Sequence, residues 1–80
     1  MMDRQEILNG VTEVIRNIFD DETLEITDST TAADVDEWDS LEQINILVAV
    51  ERKFSVRFSV GDVEGLRNVG ELVDLVSSRL

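Results

Sequence analysis

Asp39-Ser40-Leu41-Glu42-Gln43-Ile44-Asn45-Ile46-Leu47-Val48-Ala49-Val50-Glu51-Arg52-Lys53-Phe54 is the stretch whose reading fixes the fold. Asp39 followed three residues later by Glu42 is a helix start: the first carboxylate caps N–H groups of the opening turn and the second reaches back, a capping box with Asp in the Ser/Thr place. Plotted at about 100° per residue, Ile46, Leu47, Val50 and Phe54 cluster on one side and form a core face. Leu41, Ile44 and Val48 form a second stripe, offset from the first. A helix apolar on two sides is either sandwiched by neighbours or presents one side to a partner. Arg52 and Lys53 close it with charges that suit the C-terminal end of the dipole. Ser40 then lies in the first turn, where a phosphate attached to its hydroxyl is electrostatically favoured. It is a candidate modification site, while Asp-Ser also serves as a plain helix start.

On the N-terminal side, Asp3 and Glu6 make a second start signal, and Ile7, Leu8, Val11, Val14, Ile15, Ile18 and Phe19 repeat at helical spacing. This predicts a helix over residues 3–19, with Gly10 inside it as a modest cost. Residues 20–39 lack that period and predict a long loop, pinned by Leu24, Ile26, Val35 and Trp38. Ten of the eighteen acidic residues lie between Asp20 and Glu42, and no Lys or Arg does. That run is either a solvated loop or an acidic rim around Ser40 that a basic partner reads. Asp34-x-Asp36 opens like a calcium loop but lacks its glycine and terminal Glu at the required offsets, so a dedicated calcium site is rejected.

On the C-terminal side, residues 55–60 alternate apolar and polar. With no second strand to pair with, they predict an extended connector burying Val56, Phe58 and Val60. A short helical turn is expected over Gly61–Leu66. Asn68 with Glu71 opens a last helix from Val69 to about Arg79, whose core face is Val69, Leu72, Val73, Val76 and Leu80. The prediction is an all-α fold: three longer helices, a short third one, and a long loop between the first two.

Composition narrows the function. Eighty residues make one domain with a small core, and 42% hydrophobic residues in periodic arrangement predict a folded chain despite a net charge of -11. Such a charge disfavours nucleic acid and anionic membranes as partners and favours proteins with basic patches. The chain has no Cys and no His. The residue types that most often act as nucleophile, base or transition-metal ligand are therefore missing, and a self-contained enzyme is not expected. Met1-Met2-Asp3-Arg4 does not form a signal-peptide pattern and no apolar run approaches the ~18 residues of a membrane span, so the expected setting is a cytoplasmic monomer.

Three long helices, a long first loop, a short third helical turn and Asp39-Ser40-Leu41 opening the second long helix together resemble an acyl carrier protein. The similarity extends through Ile44, Leu47, Val50, Glu51 and Phe54. It implies a four-helix bundle of acyl-carrier type, with 4'-phosphopantetheine joined to Ser40 by a phosphodiester and an acyl intermediate held on it as a thioester. It further implies partner contacts through Asp39, Leu41, Glu42, Ile44 and Val48, with Trp38 beside the arm. The implied partners are a phosphopantetheinyl transferase, an acyl- or aminoacyl-activating enzyme, and acyl-processing enzymes with basic patches. Two departures stand out: Glu37-Trp38 replaces the small residue usual before Asp-Ser-Leu, and Asn45 with Arg52-Lys53 replaces acidic positions of fatty-acid carriers. They point toward a stand-alone carrier for a polyketide, a modified lipid or an aminoacyl group. An aminoacyl or peptidyl carrier and an unmodified acidic helical adaptor are the alternatives.

Overall fold

The signals Asp3/Glu6, Asp39/Glu42 and Asn68/Glu71 each open a helix in the computed structural model, which describes residues 2–80; Met1, part of the segment read as lacking a signal pattern, lies outside them. The helices are α1 (Arg4–Phe19), α2 (Ser40–Phe54), α3 (Val60–Glu64) and α4 (Val69–Arg79). Asp3, Asp39 and Asn68 each accept the backbone N–H three residues on, at 2.8, 2.9 and 2.8 Å. Such a cap is worth about 1 kcal/mol. The all-α architecture with three longer helices and a short third one is as expected, and no strand occurs among the described residues.

α1 packs against both α2 and α4. Ile7, Val11, Val14 and Ile15 of α1 meet Ile46, Leu47, Val50 and Phe54 of α2 and Val69, Leu72, Val73 and Val76 of α4 in one cluster that Val56 completes. At about 1.5–3 kcal/mol per buried side chain, this cluster outweighs the caps and ion pairs together. Gly10 has a packing role rather than being a tolerated defect: a Cβ there would stand 2.6 Å from Phe54 Cζ, so only glycine lets α1 and α2 approach this closely.

The long loop is held mostly by backbone groups. Gly70 N–H donates to the Asp28 carbonyl (2.8 Å) and Val69 N–H to that of Thr30 (2.9 Å), which satisfies two donors at the start of α4. A Cβ at Gly70 would lie 3.0 Å from that Asp28 oxygen, so the loop approaches because position 70 has no side chain. Arg16 Nε donates to the Leu24 carbonyl at 2.8 Å. Arg4 forks onto both Asp28 carboxylate oxygens at 2.9 Å and reaches Asp74 at 3.0 Å, tying α1, loop and α4 together. Leu24, Ile26, Val35 and Trp38 are each half-buried, as anchors should be, and the loop also contains a 3-10 turn at Ala32–Asp34.

Four details differ from the sequence reading. Glu42 does not reach back to Asp39; its Oε1 accepts from Asn45 Nδ2 at 2.7 Å, while Asp39 N–H donates to the Glu37 carbonyl at 3.1 Å. The third helix is Val60–Glu64 rather than Gly61–Leu66, because Ser59 and Asp62 form a reciprocal capping box. That turn ends the extended run after Phe58 and swings Val60 outward, leaving it 71% exposed. Leu80, expected on the core face of α4, is 55% exposed because the helix stops at Arg79.

Candidate phosphopantetheine site

Ser40 is the first residue of α2 and is exposed, with its hydroxyl making no hydrogen bond to another described residue. Asp39, in extended conformation (φ -101°, ψ -173°), turns the chain into the helix and accepts from Glu42 N–H. The cap uses one of the opening donors of the helix and leaves the dipole's positive end facing solvent beside Ser40.

Trp38 fixes the approach to this turn. Its Nε1–H donates to Gln43 Oε1 at 2.6 Å and its ring lies against Phe19, with centroids 5.8 Å apart and planes at 47°. One side chain thus joins the loop to the end of α1 and the first turn of α2. Trp38 is the loop anchor that the sequence suggests, and the three-dimensional arrangement adds its partners, Phe19 and Gln43.

The second apolar stripe of α2 faces outward: Leu41 is 65%, Ile44 58% and Val48 41% exposed. Of the two options for that stripe, sandwiched or presented, the second is realised in this chain. Glu42 and Asn45 are bonded to each other beside it. The C-terminal end of α2 is committed elsewhere: Glu51 Oε2 accepts Phe58 N–H at 2.9 Å, and Lys53 pairs with Glu13 at 3.5 Å.

Ser40 also stands at a cleft of about 660 Å³ between α2 and the α3–α4 region. Trp38, Ile44, Val63, Leu66, Val69 and Leu72 give it largely apolar walls, and Gln43, Asn68 and Arg67 add polar groups. Leu66 was legible in sequence only as the end of the expected Gly61–Leu66 turn and Arg67 carried no signal, since nothing in their spacing brings them toward residue 40. Among the described residues no group of three or more metal-ligating side chains occurs, and no helix is long and apolar enough to cross a membrane.

The family profile described as "Phosphopantetheine attachment site" matches residues 9–76. The chain is a member of the acyl carrier protein family. An acyl carrier protein of Kineococcus radiotolerans is 41% identical over 81 residues, covering 96% of this chain and 95% of the relative. A meromycolate extension acyl carrier protein of Mycolicibacterium aurum is 36% identical over 70 residues, covering 88% and 72%. The solution NMR structure of a holo acyl carrier protein from Geobacter metallireducens superposes with a TM-score of 0.84 at 39% identity, covering 90% of this chain and 83% of that one. This protein is accordingly a carrier rather than an enzyme, and its prosthetic group is 4'-phosphopantetheine. The residues present fit that group: an unengaged, exposed hydroxyl at a helix N-terminus suits a phosphodiester, and the adjoining cleft has room and apolar wall for what the arm bears.

Proposed function

We propose that Ser40 is the attachment point of 4'-phosphopantetheine and that the chain presents acyl intermediates to enzymes of lipid-type biosynthesis. The observation that carries the reading is the exposed, unengaged Ser40 hydroxyl at the start of α2, set at the mouth of the apolar cleft. In loading, the Ser40 oxygen bonds to the phosphorus that bears pantetheine in coenzyme A, and the pyrophosphate P–O bond breaks. Adenosine 3',5'-bisphosphate leaves and the hydroxyl proton is released. The bound group supplies a thiol, which the chain itself lacks, to hold an acyl group as a thioester.

The chain's own residues provide position and address. Asp39 and Trp38 hold the turn that displays Ser40; Leu41, Ile44 and Val48 offer exposed apolar contact along α2. Asp39, Glu42 and the acidic loop attract basic patches on the transferase and on acyl-processing enzymes. The meromycolate extension relative favours a lipid pathway for the cargo. The test is intact mass after incubation with coenzyme A and a broad-specificity phosphopantetheinyl transferase. Wild type gains one phosphopantetheine, whereas Ser40→Ala gains none with its circular dichroism unchanged. A folded wild type that stays unmodified with several transferases would leave the adaptor reading in its place.

A further inference from the structure

A chain of net charge -11 has seven cationic side chains, and four of them are engaged. Arg4 pairs with Asp28 and Asp74, Lys53 with Glu13 and Arg79 with Asp62, while Arg16 donates to the Leu24 carbonyl. Arg67 is not among them. Its backbone N–H donates to Glu71 Oε1 at 2.6 Å, but its guanidinium has no ion pair or hydrogen bond among the described residues. Among the described residues it is also the one cation lining the Ser40 cleft.

The other polar side chains on that wall are neutral or, at Asp39, acidic, and three of them hold the local structure through an oxygen acceptor. Asp39 caps α2, Gln43 accepts the Trp38 indole, and Asn68 caps α4. Arg67 is therefore the charged donor left for whatever occupies the cleft. A guanidinium presents a planar fork of N–H donors matched to carboxylate and phosphate oxygens, and Arg67 is exposed, so its fork is open to a group arriving on the arm. An anion at this site also meets the repulsion of an acidic domain with Asp39 at the rim. A cation on the wall offsets that locally.

We propose that Arg67 is an anion-binding residue of the Ser40 cleft, pairing with an anionic group carried on Ser40: the phosphodiester of the arm, or a carboxylate ending a dicarboxylic cargo. The proposal rests on the Ser40 reading above.

The test uses the full chain in four forms: unmodified, and loaded by the transferase from coenzyme A, butanoyl-coenzyme A or succinyl-coenzyme A. The last two cargoes have the same number of carbons and differ at the end, methyl against carboxylate. Intact mass establishes loading. NMR then follows the Arg67 Nε–H resonance, identified by its loss in Arg67→Gln, and melting temperature is taken for both proteins in every form. A resonance that moves from unmodified to loaded protein whatever the cargo identifies the phosphodiester as the partner. One that moves only in the succinyl form identifies the carboxylate, and there succinyl protein melts above butanoyl protein in wild type but not in Arg67→Gln. A resonance unmoved across all four forms overturns the proposal, and a succinyl-over-butanoyl melting difference that persists in Arg67→Gln overturns the carboxylate pairing. Failure to load at all sinks the Ser40 reading and this one together, whereas loading with an unmoved Arg67 sinks only this one.

Discussion

Gly10→Ala is a substitution whose sign the α1–α2 contact reverses. In the interior of a helix, alanine ordinarily stabilises relative to glycine by about 1 kcal/mol. Here the added Cβ would lie 2.6 Å from Phe54 Cζ and 3.1 Å from Lys53 Cε. Carbon atoms in contact normally sit about 3.5–4.0 Å apart, so roughly 1 Å must be recovered. The lysine stem can swing away, but Phe54 is 8% exposed and packed in the core, so either its ring leaves its rotamer or the two helices part. Overpacking of that kind costs about 1–3 kcal/mol. Against the propensity gain, the net expectation is a loss of about 1 kcal/mol, or about 4–8 °C in melting temperature for a domain this small. In a Phe54→Leu background the obstruction is gone, and the same change should raise stability by up to about 1 kcal/mol. Urea denaturation of the four proteins followed by far-ultraviolet circular dichroism yields the coupling between the positions directly. A Gly10→Ala protein at least as stable as wild type with Phe54 in place would refute the reasoning. The contact also bears on the site, because it sets the seating of the helix that displays Ser40.

Trp38→Ala should cost about 2 kcal/mol, less than the ~3–5 of a fully buried Trp because the ring is only half-buried, and Trp38→Phe about 1 kcal/mol or less, since it keeps the Phe19 contact and loses only the bond to Gln43. Thermal melts check both, and a Trp38→Ala loss below about 0.5 kcal/mol would mean the indole does not pin the loop. The Ser59 N–H, with the Ser59 hydroxyl and Arg79, holds the Asp62 carboxyl below its ordinary range. A depressed folded value means that its contribution is present above the unfolded value near pH 4 and is lost as pH falls through the folded one, so Asp62→Asn should lower stability at neutral pH and flatten the acid limb of the stability curve. With a net charge of -11, melting temperature should rise as salt increases from about 0.01 M, where the screening length is ~30 Å, to about 0.15 M, where it is ~8 Å. A salt-independent melt would show that self-repulsion does not limit this fold.

What was legible in the sequence follows from which interactions are local. Each long helix announces itself through a cap three residues before a Glu and an apolar repeat, both of which are decided within one or two turns. The same arithmetic separated the buried face of α2 from its exposed stripe, and it put Ser40 in the first turn with Asp39 as cap. Period reasoning fails at helix ends: Val60 and Leu80 continue an apolar pattern past the point where the backbone stops obeying it. Side chains with two local options are equally opaque, and so Glu42 bonds forward to Asn45 rather than back to Asp39.

The cleft is the larger omission, and its cause is physical. The loop docks on α4 through the carbonyls of Asp28 and Thr30, and every residue has a carbonyl, so the contact leaves no signature except the missing side chain at Gly70. That docking brings Thr30 and Thr31 to the same cleft as Ser40, opposite the α3–α4 connection that supplies Leu66 and Arg67. The place of Ser40 in the first turn of α2 could be read from residues 39 to 42, because it requires only a cap and a helical period, whereas its proposed role as attachment point rests on the family resemblance. The surroundings of Ser40 could not, because they depend on a loop segment before Ser40 and the α3–α4 connection after it, brought together by backbone bonds and an Arg4 bridge that spans α1, loop and α4. In this chain, local sequence sets where the proposed attachment serine stands, while the non-local docking of loop and short helix shapes the cleft beside it.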